Sequence, residues 1–296
     1  MGRLSPPTNS RQTRPRNMAK LSNSLKALIN APFARPGPTP APAAMRDVLS
    51  SIASDAAQKK IGTRPWLAVS TAATMTLNSP DSLPMLHAIA SSQRGQSPVQ
   101  TAEFMREVGL KCISFNGIPR TINCLNAFHA SLPKSVASQL SSSSSRAPTP
   151  SSLGDVSARG RRLWDSIYAP FEKKLVDKLA QSHPDLPVHI LNSHYGPLLS
   201  DPVERNGLAS TGRVLTSVVA VACLRAQTGV GPQVLSHVFG LRKAWEDGSW
   251  REEGGESEDV VAWLVGDEGL EWILSTVDRI AEVLGSNFAP TRAAKL

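Results

Sequence analysis

The sequence is short of sulfur, of aromatic rings and of any apolar run long enough to leave water. Only three of its 296 residues are cysteines, Cys112, Cys124 and Cys223. They are widely spaced and odd in number, which excludes a disulfide framework and a zinc knuckle and suits a reducing compartment. Aromatic residues make up 5% of a chain that is 41% hydrophobic, so the core has to be built from Leu, Val, Ile and Ala. The longest apolar stretch, about Val214 to Leu224, falls short of the roughly 20 residues that a membrane span requires. Sustained alternation of apolar and polar residues is missing, so strands are few or absent. The six histidines are scattered, and His183, His189 and His194 fit no standard ligand spacing, so no metal or other cofactor is expected.

Acids are absent from residues 1–46, which carry eight bases between Arg3 and Arg46. Removing these from the 32 bases leaves 24, equal to the 24 acids. The formal net charge of +8 therefore belongs to an arm and not to a folded face. With no recognition helix or aromatic platform after it, no nucleic-acid partner is expected. The arm also places Leu21, Leu25, Leu28 and Ile29 at helical spacing. It reads either as a basic amphipathic mitochondrial presequence or as an extension ahead of an internal start at Met18. At the other end, Ala294-Lys295-Leu296 matches the Ser-Lys-Leu type of address read by the peroxisomal import receptor. The peroxisome is the expected compartment, with mitochondrion and cytoplasm as alternatives.

Two stretches punctuate the chain. Ala31–Ala43 is Pro-rich and extended. Ser138–Ser152 is low-complexity and nearly without bulk, so composition predicts a disordered linker. The expected order is an arm over 1–44, a first helical module over 45–135, a linker over 136–153, a second module over 154–290 and a tail over 291–296. In the second module, Arg161–Gln181 spaces Trp164, Ile167, Phe171, Leu175 and Leu179 as a helix that Pro170 kinks or divides. Val214–Gln227 is apolar nearly all round, the mark of a buried helix. Gly229 and Pro232 separate it from an amphipathic helix over Pro232–Trp245. An acidic stretch follows, its tryptophans Trp245, Trp250, Trp263 and Trp272 stapling it to the body, and a helix over Gly269–Leu284 closes the module.

The most informative feature is self-similarity. Trp66–Ala90 reads as a small-residue apolar helix, a turn with Pro80 and a second helix containing His87. Thr216–Gly240, displaced by 150 residues, reads the same way and sets His237 on His87. Duplication and chance likeness between two Ala/Val-rich hairpins are the competing explanations.

These segments resemble the alkyl hydroperoxidase D and carboxymuconolactone decarboxylase superfamily. Arg213-Val214-Leu215 with Val218–Leu224, followed by His237-Val238-Phe239-Gly240-Leu241, is similar to the R-x-L-x-x-[VI]-A helix and the H-[VL]-x-G-[AL] segment of the decarboxylase branch. Phe115–Leu125 is similar to the family's Y-x-G-[FI]-P helix, and Ser193-His194-Tyr195-Gly196 to the segment before the first helix. The resemblance implies an all-α fold of tandem helical modules that commonly oligomerises, with cofactor-free acid–base chemistry on a small organic acid or lactone. The E-x-x-C-x-x-C motif of the hydroperoxidase branch is absent, so a dithiol cycle is disfavoured unless two of the three cysteines meet in space.

Within that frame His237 is the candidate acid–base group. At about 100° per residue it sits roughly 70° from the Val234–Val238–Leu241–Trp245 stripe, a margin that would leave it half-buried and facing a cleft. Arg213 is the candidate carboxylate clamp. Arg120, His194 and Tyr195 are candidate substrate contacts. Against each stands a plain structural role: a helix-end hydrogen bond for His237, an internal salt bridge for Arg213, packing for Tyr195. A cofactor-independent enzyme and a catalytically silent interaction protein of the same fold are thus the two readings to separate, with a thiol-dependent reductase third.

Overall fold

The computed structural model describes residues 21–251 and 255–285; the C-terminal Ala294-Lys295-Leu296 and the first 20 residues of the arm lie outside them. Every regular element among the described residues is helical, as the missing alternation predicts. No described helix is long and apolar enough to cross a membrane.

The chain divides into two units, residues 1–37 and 38–296. The first holds α1 (Asn23–Ile29), opened by the Ser22 side chain accepting from the Leu25 amide at 3.2 Å, and a 3-10 turn over Pro32–Ala34. None of the residues in α1 is buried.

The second unit begins with α2 (Met45–Gln58), α3 (Thr63–Thr76), α4 (Leu83–Ser91) and α5 (Pro98–Lys111). The short α6 (Ile113–Asn116), α7 (Ile118–Ser131) and the short α8 (Lys134–Ala137) follow. After a coil come α9 (Leu153–Tyr168), α10 (Glu172–Ser182) and α11 (Asp185–His189), which runs into a π-helical segment over Ile190–Leu199. The remainder is α12 (Gly212–Gln227), α13 (Gly231–Glu246), α14 (Glu258–Val265) and α15 (Asp267–Leu284). The expected breaks fall where the sequence marks them: α9 ends at Tyr168 just before Pro170, and Gly229 lies between α12 and α13.

At the centre α3 and α12 pack against each other. From Pro65 to Thr76 every residue of α3 is buried, and α12 is buried at all positions except Arg225 and Gln227. Val, Ala, Thr and Ser dominate both helices, and small side chains let the two backbones approach closely. Helices α2 and α15 flank the pair, each presenting one apolar stripe: Leu49, Ile52 and Ala56 on α2, Ile273, Val277, Ile280 and Leu284 on α15. Residues from Met45 to Val136 and from Val214 to Leu284 thus form one continuous core. A second, smaller core joins α9 to the π-helical segment through Leu163, Trp164, Ile167, Tyr195 and Leu199. Trp245 stacks on Trp250 at 5.5 Å, and the Trp272 indole donates to Asp55 at 2.6 Å, so the tryptophans of the acidic stretch do tie it to the body.

The serine-rich stretch differs from the composition-based expectation. It forms no helix between Ser138 and Ser152, yet it is fastened. The Ser141 amide donates to Glu103 at 2.7 Å, Arg106 donates to the Ser141 carbonyl at 3.3 Å, and Arg146 pairs with Glu107 at 2.6 Å. The disorder argument weighs apolar burial alone, and this segment is held by charge instead.

That charge belongs to a buried network. Lys111, without solvent exposure at the end of α5, bonds Asp201 at 2.8 Å, Thr216 at 3.2 Å and the Leu199 carbonyl, with Glu107 at 3.8 Å. Asp201 also accepts from the Thr211 and Gly212 amides at 3.0 and 2.7 Å, capping the start of α12. Burial pushes the Asp201 carboxyl up, but Lys111, the Gly212 amide and Arg146 outweigh it and hold its pKa below the ordinary value. Replacing Lys111 by Met takes from buried Asp201 its nearest cation and leaves Arg146 alone to face two buried carboxylates. Its unfolding free energy, measured by urea titration near pH 7, should fall by about 3–5 kcal/mol; a fall under about 1 kcal/mol, the range of an exposed pair, would mean that water replaces the ammonium.

Candidate functional site

The chain has only two tyrosines, and they meet. Tyr168 ends α9 and Tyr195 lies in the π-helical segment; their hydroxyls are 3.0 Å apart. The Tyr168 hydroxyl also shares a hydrogen bond with His237 Nε2 on α13 at 3.3 Å. Phe115 and Tyr168 each turn an edge or face to the imidazole at centroid distances of 6.0 Å. Trp164 packs on both tyrosine rings, 4.2 Å from Tyr168 and 5.1 Å from Tyr195.

Two close backbone approaches make this cluster possible. A Cβ on Gly240 would lie 2.6 Å from Ile167 Cγ2, so glycine here lets α13 cross α9 closely, one turn beyond His237. A Cβ on Gly160 would lie 2.6 Å from the Gly196 amide nitrogen, so α9 and the π-helical segment touch backbone to backbone and bring Tyr195 to Tyr168. The glycine of the His-x-x-Gly segment thus has a packing cause.

His237 is more enclosed than its position beside the apolar stripe predicts. It is 6% exposed, and its Nδ1 is buried without a hydrogen-bond partner. Burial, assisted by the charge of Arg213, lowers its pKa from 6.5 to about 4. The imidazole is therefore neutral at pH 7, an acceptor or relay and not a resident acid. Burial raises the pKa of Tyr168 and, more strongly, of Tyr195, so both hydroxyls keep their protons.

Arg213 opens α12 and supports this cluster from behind. It donates to Ser166 Oγ at 2.7 Å, Ser217 Oγ at 2.6 Å and the carbonyls of Ser166 and Gly240 at 3.1 and 2.7 Å. The guanidinium fork, which would clamp a substrate carboxylate, here ties α9, α12 and α13 together. Arg120 lies elsewhere, donating to the Thr76 carbonyl at the end of α3 at 2.5 Å. His194 bonds Ser114 at 3.2 Å, and burial followed by the neighbouring His189 lowers its pKa. The structure thus gathers His237, Tyr195 and Arg213 and leaves Arg120 and His194 outside. It adds Tyr168, which sequence reasoning passed over although the rarity of tyrosine and the Tyr-Ala-Pro helix ending were in view.

His87, which the 150-residue displacement sets on His237, is buried to the same 6% exposure. Its Nε2 bonds the Pro98 carbonyl at 2.9 Å and its ring meets Phe128 edge-on at 5.7 Å. Both histidines are enclosed beside an aromatic edge, but only His237 bonds a side-chain acid.

A groove of 870 Å³ opens between α10 and α13 over the end of α9, with Tyr168 in its wall. Ile167, Leu175, Phe171 and Phe239 supply the apolar lining, and Lys174, Lys178, Arg242 and Lys243 stand around it with Glu246. A roomier groove of 1130 Å³ between the serine-rich stretch and α9 is lined by mixed charge and does not reach the tyrosines.

The cysteines also have a place. Cys112 and Cys223, 111 positions apart, lie with their sulfurs 3.5 Å from each other in the core, and all three thiols are free and buried. The Cys112 pKa is raised well above its ordinary value by its bond to Cys223 and by burial, and burial lifts that of Cys124 to about 12. Thiols so protonated are poor nucleophiles. No group of three potential metal ligands occurs among the described residues.

Comparison with known proteins adds no relative: no family model, no curated protein and no solved structure matches this chain.

Two outcomes follow. Unfolded, His237 binds its proton near pH 6.5; folded, only near pH 4. Between those values the unfolded chain takes up the extra proton, so stability is complete above pH 6.5 and is lost as the pH falls towards 4, by an amount on the order of 3 kcal/mol. Urea titrations of His237→Phe across this window should show a visibly flatter dependence than wild type. The native protein should also leave a thiol-reactive disulfide reagent unconsumed at pH 7.5 over minutes, and consume three equivalents once unfolded.

Proposed function

We propose that this is a carboxymuconolactone decarboxylase-like protein of tandem helical modules, acting without a cofactor on a small organic acid or lactone at the α10–α13 groove. The observation that carries this reading is the hydrogen bond between Tyr168, a wall residue of the groove, and the enclosed His237. A pocket bordered by titratable groups shifted from their ordinary pKa values is where acid–base chemistry is sought first. On this reading Tyr168 is the proton donor, kept protonated by burial. Its phenolate, once formed, would be stabilised by the Tyr195 hydroxyl and the charge of Arg213. Neutral His237 orients the phenol through the Tyr168 hydroxyl, and after carbon dioxide has left and the substrate carbon has taken the phenol's proton, the phenolate is reprotonated from water, one solvent proton per turnover. The sequence resemblance favours the same branch, and the equal burial of His87 and His237 suits a duplication in which the second copy kept the active group. Peroxisomal targeting through Ala294-Lys295-Leu296 and assembly with further copies belong to this proposal as well.

A second reading, a catalytically silent member of the same fold, is favoured by one observation: Arg213 spends four hydrogen bonds on protein groups, in the manner of a brace.

The test is carbon dioxide release from a set of small lactone carboxylates. The acid–base reading expects turnover by wild type, and a loss in kcat of about 10²-fold or more in both Tyr168→Phe and His237→Gln, with KM and helical circular dichroism preserved. Turnover that survives Tyr168→Phe removes the phenol from the mechanism; no turnover by wild type leaves the silent reading.

A further inference from the structure

The groove has a chemistry of its own that a small acid does not use. Phe171 and Phe239 are 67% and 57% exposed, two large rings in the groove lining that the described residues leave uncovered. Ile167 and Leu175 join them in the apolar part of the lining. Its volume of 870 Å³ sits near the top of the roughly 300–1,000 Å³ range of small-ligand sites, far more than a lactone acid fills.

Charge stands on one side of the balance. Four cations border the groove and one acid, Glu246, faces them. Arg242 is committed to Asp267. Lys174, Lys178 and Lys243 make no ion pair among the described residues, while Lys173, one position away on α10, pairs with Asp177 at 3.4 Å. Lys174 and Lys178 are four apart and so share one face of α10. The acids of this helix therefore leave the groove-facing lysines unneutralised. Lysine stems cover apolar surface and carry their ammonium groups at its edge, which suits a ligand with a hydrocarbon body and one anionic end. The chain's own α1 carries exposed apolar residues, but its unit, residues 1–37, holds seven bases and no acid, so it brings no anionic head to these lysines.

We propose that the α10–α13 groove binds an aliphatic carboxylate of about ten to sixteen carbons, its chain against Phe171, Leu175 and Phe239 and its head at Lys174 and Lys178. The site stands on the groove alone and holds whether or not His237 and Tyr168 turn over a substrate.

The test uses the full-length chain and calorimetric titration with dodecanoate and hexadecanoate below their aggregation concentrations. One-to-one binding is expected, at least tenfold tighter than that of the alcohol of equal length and undetectable for acetate and for an alkyl-trimethylammonium. The exposed double substitution Lys174→Glu/Lys178→Glu should weaken the carboxylate at least tenfold and leave the alcohol unchanged. Phe239→Ser should weaken both, with circular dichroism as the control for folding. Equal affinity for carboxylate and alcohol, or a double variant that binds as wild type, overturns the proposal. So does sedimentation with phosphatidylglycerol vesicles without binding of the monomeric acid, which would make the patch a membrane contact, and so does binding of an acidic amphipathic peptide in place of the acid. Loss of catalysis in Tyr168→Phe with carboxylate binding intact would separate this site from the reaction proposed above.

Discussion

Lys111 ends α5 inside the protein, and four groups from three parts of the chain converge on its ammonium group. Asp201 and the Leu199 carbonyl come from the segment before α12, Thr216 from α12 itself and Glu107 from α5. Arg146, from the stretch between the halves, closes the set on Glu107 and Asp201. Two bases and two acids balance, and desolvating them is costly unless every partner is present. The network consequently fixes geometry more than it adds stability. It sets where α12 begins, because Asp201 also holds the first amides of that helix, and it sets where the serine-rich stretch runs. Arg213 is the second residue of α12 and carries the ties to α9 and α13. The position of the tyrosine–histidine cluster thus descends from a salt bridge on the far side of the same helix start.

Sequence periodicity made most of the helices legible, because burial in a helix repeats every three or four residues and α2, α9 and α15 follow that rule. The central pair was legible for the opposite reason, since Val214–Gln227 is apolar all round. What periodicity does not carry is partnership. Nothing in the pattern around Lys111 distinguishes a solvated lysine from a buried one; its companions are 88 to 105 positions away for Leu199 and Thr216. The fastening of the serine-rich stretch is hidden for the same cause. Its anchors in α5 are Glu103 and Arg106, which hold the Ser141 backbone, and Glu107, which holds Arg146, and in the sequence these look like ordinary surface charges.

The site was half legible. A histidine at the edge of an apolar stripe pointed to His237, and the segments that resemble the family pointed to Tyr195 and Arg213. Angular position on a helix, however, says which way a side chain leaves and not what comes to meet it. Gly240 admits α9 to α13 and Gly160 admits the π-helical segment to α9 so closely that a margin expected to face a cleft is sealed, and the imidazole loses the titration near neutrality that its composition alone promises. Tyr168 takes the place at the groove wall. Arg120 and His194 were chosen for residue type in segments that resemble the family, and each proves to satisfy a neighbouring helix.

The mutual burial of α3 and α12 has a consequence for the two halves as separate objects. Each central helix is coated with Val, Leu, Ala and Thr on faces that would otherwise meet water, and each covers the other. Released from its neighbour, either half would expose an oily rod of some 14 to 16 residues and would seek a substitute, most readily a second copy of itself. Cohesion between the halves is therefore also what keeps the protein from clumping.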